Sequence, residues 1–335
     1  MFIFRLLLTI FLTLFCDGEF TCPREEVLFP CNCDSEVALV MCEKNDKQMI
    51  EIENIMSNIS EAVQNKTLIF ELSIEGGKLT KLSEKSLGSL LYSRIAIVGT
   101  GLESLHKNVF VFTSIVTNYI DLERNNLNED VFDALRSLQS LNYINLSRNK
   151  LTSIPSHAFR QADGQFQSGL KAILLAENEI HTISERAFFS LPHLYHLDLS
   201  ENKLHVIGER AFDFGYDPIG SQIDLTIDLS KNKLHSNSFN ERTLANIQRP
   251  LKLKMASNNF TRLSEAIFRP FLSKHKKNSI DLEANPLSCD CSSWWLHRNM
   301  YIYRIKVLHH VCKDSRTLWA FDYSEFKECD NKIVL

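Results

Sequence analysis

Cysteine and histidine are the residues of this chain with the widest chemistry open to them. The nine cysteines are Cys16, a set Cys22, Cys31, Cys33 and Cys42, and a second set Cys289, Cys291, Cys312 and Cys329. Clustered cysteines either close disulfides in an oxidising compartment or, as thiolates, hold zinc. Cys31-Asn32-Cys33 and Cys289-Asp290-Cys291 each have the spacing of half a metal site, but no His pair stands at a matching spacing. His309-His310 reads as a surface pair, and His193 and His196 sit three apart on an extended segment, pointing to different faces. Gly99-Thr100-Gly101 falls short of a dinucleotide loop because Ser104 stands at the last glycine position. No Gly-x-Ser-x-Gly, His-Glu-x-x-His or P-loop occurs. The chain is therefore expected to hold no catalytic, metal or cofactor-binding residues and to be no enzyme.

The cysteines instead fit export. Arg5 precedes a short apolar run at residues 6–15, and Cys16 and Gly18 are small enough for a cleavage site, so residues 1–18 read as a signal peptide. Removing it takes Cys16 away and leaves eight, four at each end. Cys31 and Cys33 are too close to pair with each other; of the two remaining connectivities Cys22–Cys33 with Cys31–Cys42 is favoured, and at the other end Cys289–Cys312 with Cys291–Cys329. Asn58, Asn65, Asn145 and Asn259 head glycosylation sequons suited to a secreted, extracellular protein. A net charge of −4, from 37 basic and 41 acidic residues, gives no basic excess for nucleic acid or an anionic membrane, and no span is expected in the mature chain.

Stepping outward from the cysteines, the middle of the chain repeats itself. Leu194-Tyr195-His196-Leu197-Asp198-Leu199-Ser200-Glu201-Asn202-Lys203-Leu204 carries L-x-x-L-x-L-x-x-N-x-L, the leucine-rich-repeat signature. The anchoring asparagine recurs at Asn125, Asn149, Asn178, Asn202, Asn232, Asn258 and Asn285, with Gly77 and Thr100 in that slot in two weaker copies. About nine repeats result. The fold class expected is α/β: a leucine-rich-repeat solenoid, or horseshoe, with a parallel concave sheet and a disulfide-bonded cap at each end. Each repeat supplies a strand too short to stand alone, and the asparagine amide satisfies backbone groups where the chain turns away. Phe110, Phe159, Phe188, Phe212 and Phe268 lie ten residues past their anchors and are expected to form an apolar spine under the convex side, while Phe132 and Phe239 come at seven. Insertions near 161–169 and 213–220 should bulge from that side, with Phe166 and Tyr216 as exposed aromatics.

Domain bounds follow: a leader at 1–18, an N-terminal cysteine-rich cap at 19–68, repeats at 69–284 and a C-terminal cysteine-rich cap at 285–335, in which Trp294 and Trp295 cover the end of the core. Both caps match the flanking modules of extracellular leucine-rich-repeat proteins. The start Cys-Pro-x6-Pro-Cys-x-Cys, the Asn-Pro-Leu-Ser-Cys-x-Cys opening of the second cap and the Phe326-x-x-Cys329 ending resemble arthropod proteins similar to the non-catalytic subunit of Oplophorus luciferase (oplophorus-luciferin 2-monooxygenase). That resemblance implies a secreted accessory protein without catalytic residues of its own; it does not imply luminescence.

Strand residues between the leucines are the positions free to act. Three rows are expected on the concave face, and their charged members are Asp121, Asp198, Asp228, Lys254 and Asp281; Glu75, Glu123 and Glu283; and Arg124, Arg148, Glu177, Glu201 and Lys231. Acids outnumber bases by five in these rows, so a basic extracellular protein is the expected partner. A sugar on Asn145 would stand on the same surface.

Overall fold

The computed structural model describes residues 20–49, 51–62, 68–167, 169–215 and 223–329. The leader, the Asn65 sequon, Tyr216 and the rest of 216–222, and the last six residues lie outside the described residues. The chain divides into two compact units, Met1–Leu141 and Asn142–Leu335.

In the first unit the strands are β1 (Asn32–Asp34), β2 (Leu39–Met49), β3 (Leu68–Lys78), β4 (Lys81–Leu82), β5 (Leu91–Val98), β6 (Ser104–Leu105) and β7 (Tyr119–Asp121). β1 and β2 form an antiparallel hairpin, after which β2, β3, β5 and β7 pair in parallel; β4 and β6 form a second, short parallel pair. Alternation sets the faces. Leu72, Ile95 and Ile120 stand side by side in register and are buried, while their neighbours on either side face outward. Disulfides Cys22–Cys33 and Cys31–Cys42 tie the β1–β2 hairpin to the segment before it. They close an end whose few core residues, such as Leu28 and Val40, bury little area by themselves.

In the second unit the strands are β8 (Tyr143–Asn145), β9 (Ser153–Ile154), β10 (Ala172–Leu174), β11 (Thr182–Ile183), β12 (His196–Asp198), β13 (Val206–Ile207), β14 (Leu225–Asp228), β15 (Leu251–Lys254), β16 (Ser279–Asp281) and β17 (Val307–Leu308). β8, β10, β12, β14, β15, β16 and β17 pair in parallel, with Ile144, Ile173, Leu197, Ile227, Leu253, Ile280 and Val307 as one buried column. β9, β11 and β13 repeat the arrangement on the opposite side of the core. Between the two rows runs the aromatic spine: Phe159, Phe188 and Phe212 are buried and stacked at 5.8 and 6.1 Å. Phe239, at its altered spacing, packs against Phe260 and Phe268.

The anchoring asparagines act as expected of a buried amide, and they bridge neighbouring repeats. Asn202 Oδ1 accepts the Ile180 N–H at 3.0 Å while its Nδ2 donates to the carbonyls of Leu175, Leu199 and Ser200 at 2.9, 3.1 and 3.0 Å. Asn178, Asn232, Asn258 and Asn285 repeat this pattern in the second unit, and Asn125 does so in the first. Thr100, in an anchor slot, is also buried and bonds to the Asn125 amide at 3.0 Å. One asparagine thus bonds to buried backbone of its own repeat and the one before, and the Leu175 and Leu199 carbonyls each take a second donor from the neighbouring asparagine.

The C-terminal cap closes the second unit with Cys289–Cys312 and Cys291–Cys329. Trp294 and Trp295 are buried here. Trp294 lies against Phe326 at 5.3 Å and Trp295 donates through Nε1 to the Leu263 carbonyl. Two expectations need correction. His310 is not a surface residue: it is 1% exposed, because β17 ends two residues before it and the chain turns inward toward Cys312. Phe166 is not freely exposed, since the 161–169 insertion folds back through an antiparallel bridge with Arg160 and lays the ring at 5.1 Å on Phe189.

Candidate functional site

The exposed face of the sheet is the surface each unit leaves for function, and its residue rows follow from backbone geometry. Asp121, Asp198, Asp228, Lys254 and Asp281 end their strands with side chains on the outer face, opposite the buried column. The aspartates also have a local task. Oδ1 of Asp198, Asp228, Asp281 and Asp121 accepts the backbone N–H two residues on, at 2.9, 3.0, 3.1 and 3.1 Å. One carboxylate oxygen caps the strand end, and the second can take a side-chain partner, as Asp121 Oδ2 does from Tyr119 and Asp228 Oδ2 from Lys254.

Apart from Gly76, which lies within β3, the third expected row falls just past the strands. Gly76, Gly99, Arg124, Arg148, Glu177, Glu201, Lys231, Ser257 and Ala284 all have φ between 54° and 65°, in the left-handed region. At this point the chain turns out of the sheet toward the buried asparagine. The conformation disfavours L-residues by about 1–2 kcal/mol. It is held because the ladder continues through it: Glu177, Glu201, Lys231 and Ser257 donate their N–H groups to the next repeat's Ser200, Ser230, Ala256 and Glu283 carbonyls at 2.7–3.0 Å. Their side chains therefore line the rim of the face rather than its floor. The floor beside them in the second unit is Ser147, Ala176, Ser200, Ser230 and Ala256, small residues that let another backbone come close, with Glu283 at the end of the row.

Alternation also puts on this face a row absent from the sequence-based expectation, one residue before the buried column: Glu71, Arg94 and Tyr119 in the first unit, and Tyr143, Ala172, His196, Thr226, Lys252 and Ser279 in the second. The signal was available, because the x before each strand's first aliphatic has the same parity as the x after it. This row changes the electrostatics. In the second unit the face carries the acids Asp198, Asp228, Asp281, Glu283, Glu177 and Glu201 against the bases Lys252, Lys254, Arg148 and Lys231. Most of these are paired across repeats: Arg148–Glu177 and Lys231–Glu201 at 2.8 Å, Lys254–Asp228 at 3.1 Å, and His309–Asp281 at 2.8 Å, the last holding the His309 imidazole above its ordinary pKa. Exposed pairs of this kind add about 0–1 kcal/mol each to stability. Their consequence is a face of alternating sign, less acidic than the three rows alone suggested.

The first unit concentrates its face differently. The Arg94 guanidinium lies 3.7 Å over the Tyr119 ring and its Nε donates to Glu71 at 2.9 Å, while the Tyr119 hydroxyl donates to Asp121 at 3.3 Å. Glu71, Arg94, Tyr119 and Asp121 form one connected chain across three strands, with Glu123 and Arg124 at the adjacent turn. An arginine and a tyrosine held in place by partners are the side chains that dominate protein interfaces, since little further ordering is needed on binding.

The sequons separate by exposure. Asn58, on the helix Ile52–Ala62, and Asn259 are exposed, whereas Asn145 is 5% exposed and its Oδ1 accepts the Ser147 N–H at 3.0 Å. The expectation that a sugar on Asn145 stands on the face conflicts with that burial. Among the described residues no helix is long and apolar enough to cross a membrane.

Family models described as leucine-rich repeat match residues 168–214 and 140–162. Among solved structures, a chain from the octameric complex of Latrophilin 3, Unc5D and FLRT2, to which FLRT2 contributes a leucine-rich-repeat domain, aligns with a TM-score of 0.55 over 91% of this chain and 99% of that chain. Sequence identity is 18%, so the likeness is one of fold. No curated protein matches the sequence. The fold is that of leucine-rich repeats, with disulfides near both ends.

Proposed function

We propose that this chain is a non-catalytic, protein-binding scaffold that works outside the cell as an accessory subunit of a secreted complex. The observation that carries the reading is the connected Glu71–Arg94–Tyr119–Asp121 chain on the outer face of the sheet. Four disulfides support an oxidising compartment. The similar solved chain comes from a complex of several proteins, which supports a binding role for this fold. The resemblance to the non-catalytic subunit of Oplophorus luciferase supports the accessory assignment and says nothing of light emission. The alternating charges of the second unit favour a partner that presents both signs, with lysines or arginines set against Asp198 and Glu283.

The test is to isolate the native protein under mild conditions, identify what accompanies it, and measure affinity for that partner with Arg94→Ala and Tyr119→Ala. A stoichiometric secreted protein whose binding weakens by about 2 kcal/mol or more for each variant is expected. A matrix or microbial ligand in its place would turn the reading to stand-alone recognition. Unchanged affinity in both variants would move the site away from this face.

A further inference from the structure

Sequence spacing offers Cys289-Asp290-Cys291 no histidine pair, but the fold supplies a histidine. His310 packs behind the Cys289–Cys312 bond with its Nδ1 4.0 Å from Cys289 Sγ, and its Nε2 has no hydrogen-bond partner among the described residues. A ligand atom from each of Cys289, His310 and Cys312 lies within 4.8 Å of the other two. The imidazole is buried, with the Trp319 ring centroid 6.3 Å from its own, and Nδ1 is the nitrogen placed to bind an ion between the sulfurs.

We propose that Cys289, Cys312 and His310 form a zinc site that closes the C-terminal cap when the disulfide between the two cysteines is reduced. The distances permit it. Zn–S bonds of about 2.3 Å and Zn–N bonds of about 2.0–2.1 Å in a tetrahedral site place sulfur and nitrogen roughly 3.6 Å apart and the two sulfurs roughly 3.8 Å apart. The sulfur–nitrogen gap needs to close by only a few tenths of an ångström. The Cα atoms, 5.7 Å apart, need no rearrangement for the sulfurs to swing around one ion. The fourth position faces the half-exposed side of Cys289, where water completes the tetrahedron.

A dithiol gives two electrons and two protons to the Cys289–Cys312 bond and becomes a disulfide; the two thiols then lose those protons as two Zn–S bonds form. The cap thereby has two interchangeable fastenings, one for an oxidising and one for a thiol-rich compartment. Among the described residues no histidine stands with Cys291 and Cys329 as His310 does with Cys289 and Cys312.

The full-length mature protein is reduced stepwise with a phosphine, the excess removed, and Co²⁺ added as the probe. The expected result is one Co²⁺ per chain with a sulfur-to-cobalt charge-transfer band that Zn²⁺ displaces. The reduced protein should also melt at higher temperature with Zn²⁺ than with a chelator. His310→Gln should weaken the metal by at least roughly tenfold, since even outer-shell partners of a metal change affinity by about 10–100-fold. His309→Gln should leave it unchanged, and circular dichroism of both oxidised variants checks that they fold. The proposal is overturned if no sulfur-bound Co²⁺ forms, if His310→Gln binds as tightly as wild type, if alkylation maps the metal-protected thiols to Cys291 and Cys329, or if the cap melts equally with and without zinc.

Discussion

Acid should weaken this protein through one buried histidine. Burial pulls the His310 imidazole down from 6.5 to about 4, because a charged ring would lose its hydration among Cys312, Trp319 and the cap backbone. The folded-state pKa is depressed, so His310 stays neutral in the fold while the unfolded chain takes up a proton as pH falls below about 6.5. Stability is complete above that value and drains away as pH falls toward 4. The whole span corresponds to about 3 kcal/mol, and about 2 kcal/mol is gone by pH 5. His309 works in the opposite sense: its bond to Asp281 raises its pKa, so its contribution is present at low pH and fades as pH rises through the raised value. The measurement is therefore a difference. Urea unfolding, followed by tryptophan fluorescence at pH 7.5, 6 and 5, is compared for wild type and His310→Gln, which keeps the shape and cannot titrate. Wild type should lose about 2 kcal/mol more than the variant between pH 7.5 and 5. Parallel pH curves would show that His310 protonates freely within the fold, and the burial argument would fail.

Three further outcomes are expected. Asn202→Ala leaves the Ile180 N–H buried without its acceptor and removes one of the two asparagine donors on each of the Leu175 and Leu199 carbonyls, and should cost about 1–3 kcal/mol, read as a lower urea midpoint. Phe188→Ala removes the middle ring of the Phe159–Phe188–Phe212 stack and should cost about 3–5 kcal/mol by the same assay; a loss below about 1 kcal/mol would mean the spine is not close-packed. Glycopeptide mapping of protein from a eukaryotic secretory host should find sugar on Asn58 and Asn259 and leave Asn145 bare, because only the first two are exposed; occupancy of Asn145 would show that its burial comes after modification.

The repeat was legible because its causes are local. An asparagine two residues before a leucine, isoleucine or phenylalanine, recurring from Asn125 to Asn285, can be seen in any single copy, and stacking only multiplies it. The same locality made the buried strand residues and the phenylalanine spine readable from spacing. The Arg94–Tyr119 row was also within reach, since strand parity places it, but its pairing with Glu71 and Asp121 depends on register between repeats.

Other features had no local cause to read. The left-handed turn that moves Arg148, Glu177, Glu201 and Lys231 to the rim comes from the ladder continuing into the next repeat, and no residue type marks it: glycine, arginine, glutamate, lysine, serine and alanine all occupy it. Asn145 has an intact sequon, and only the packing around its strand hides it. By itself, the sequence determined the repeat, its period and the clustering of cysteines at both ends, because each depends on residues within one turn of chain. Tertiary structure alone decided which charges meet across repeats and that His310, 21 residues beyond Cys289, faces its sulfur, because those contacts exist only once separate segments have been stacked and the cap has closed over them.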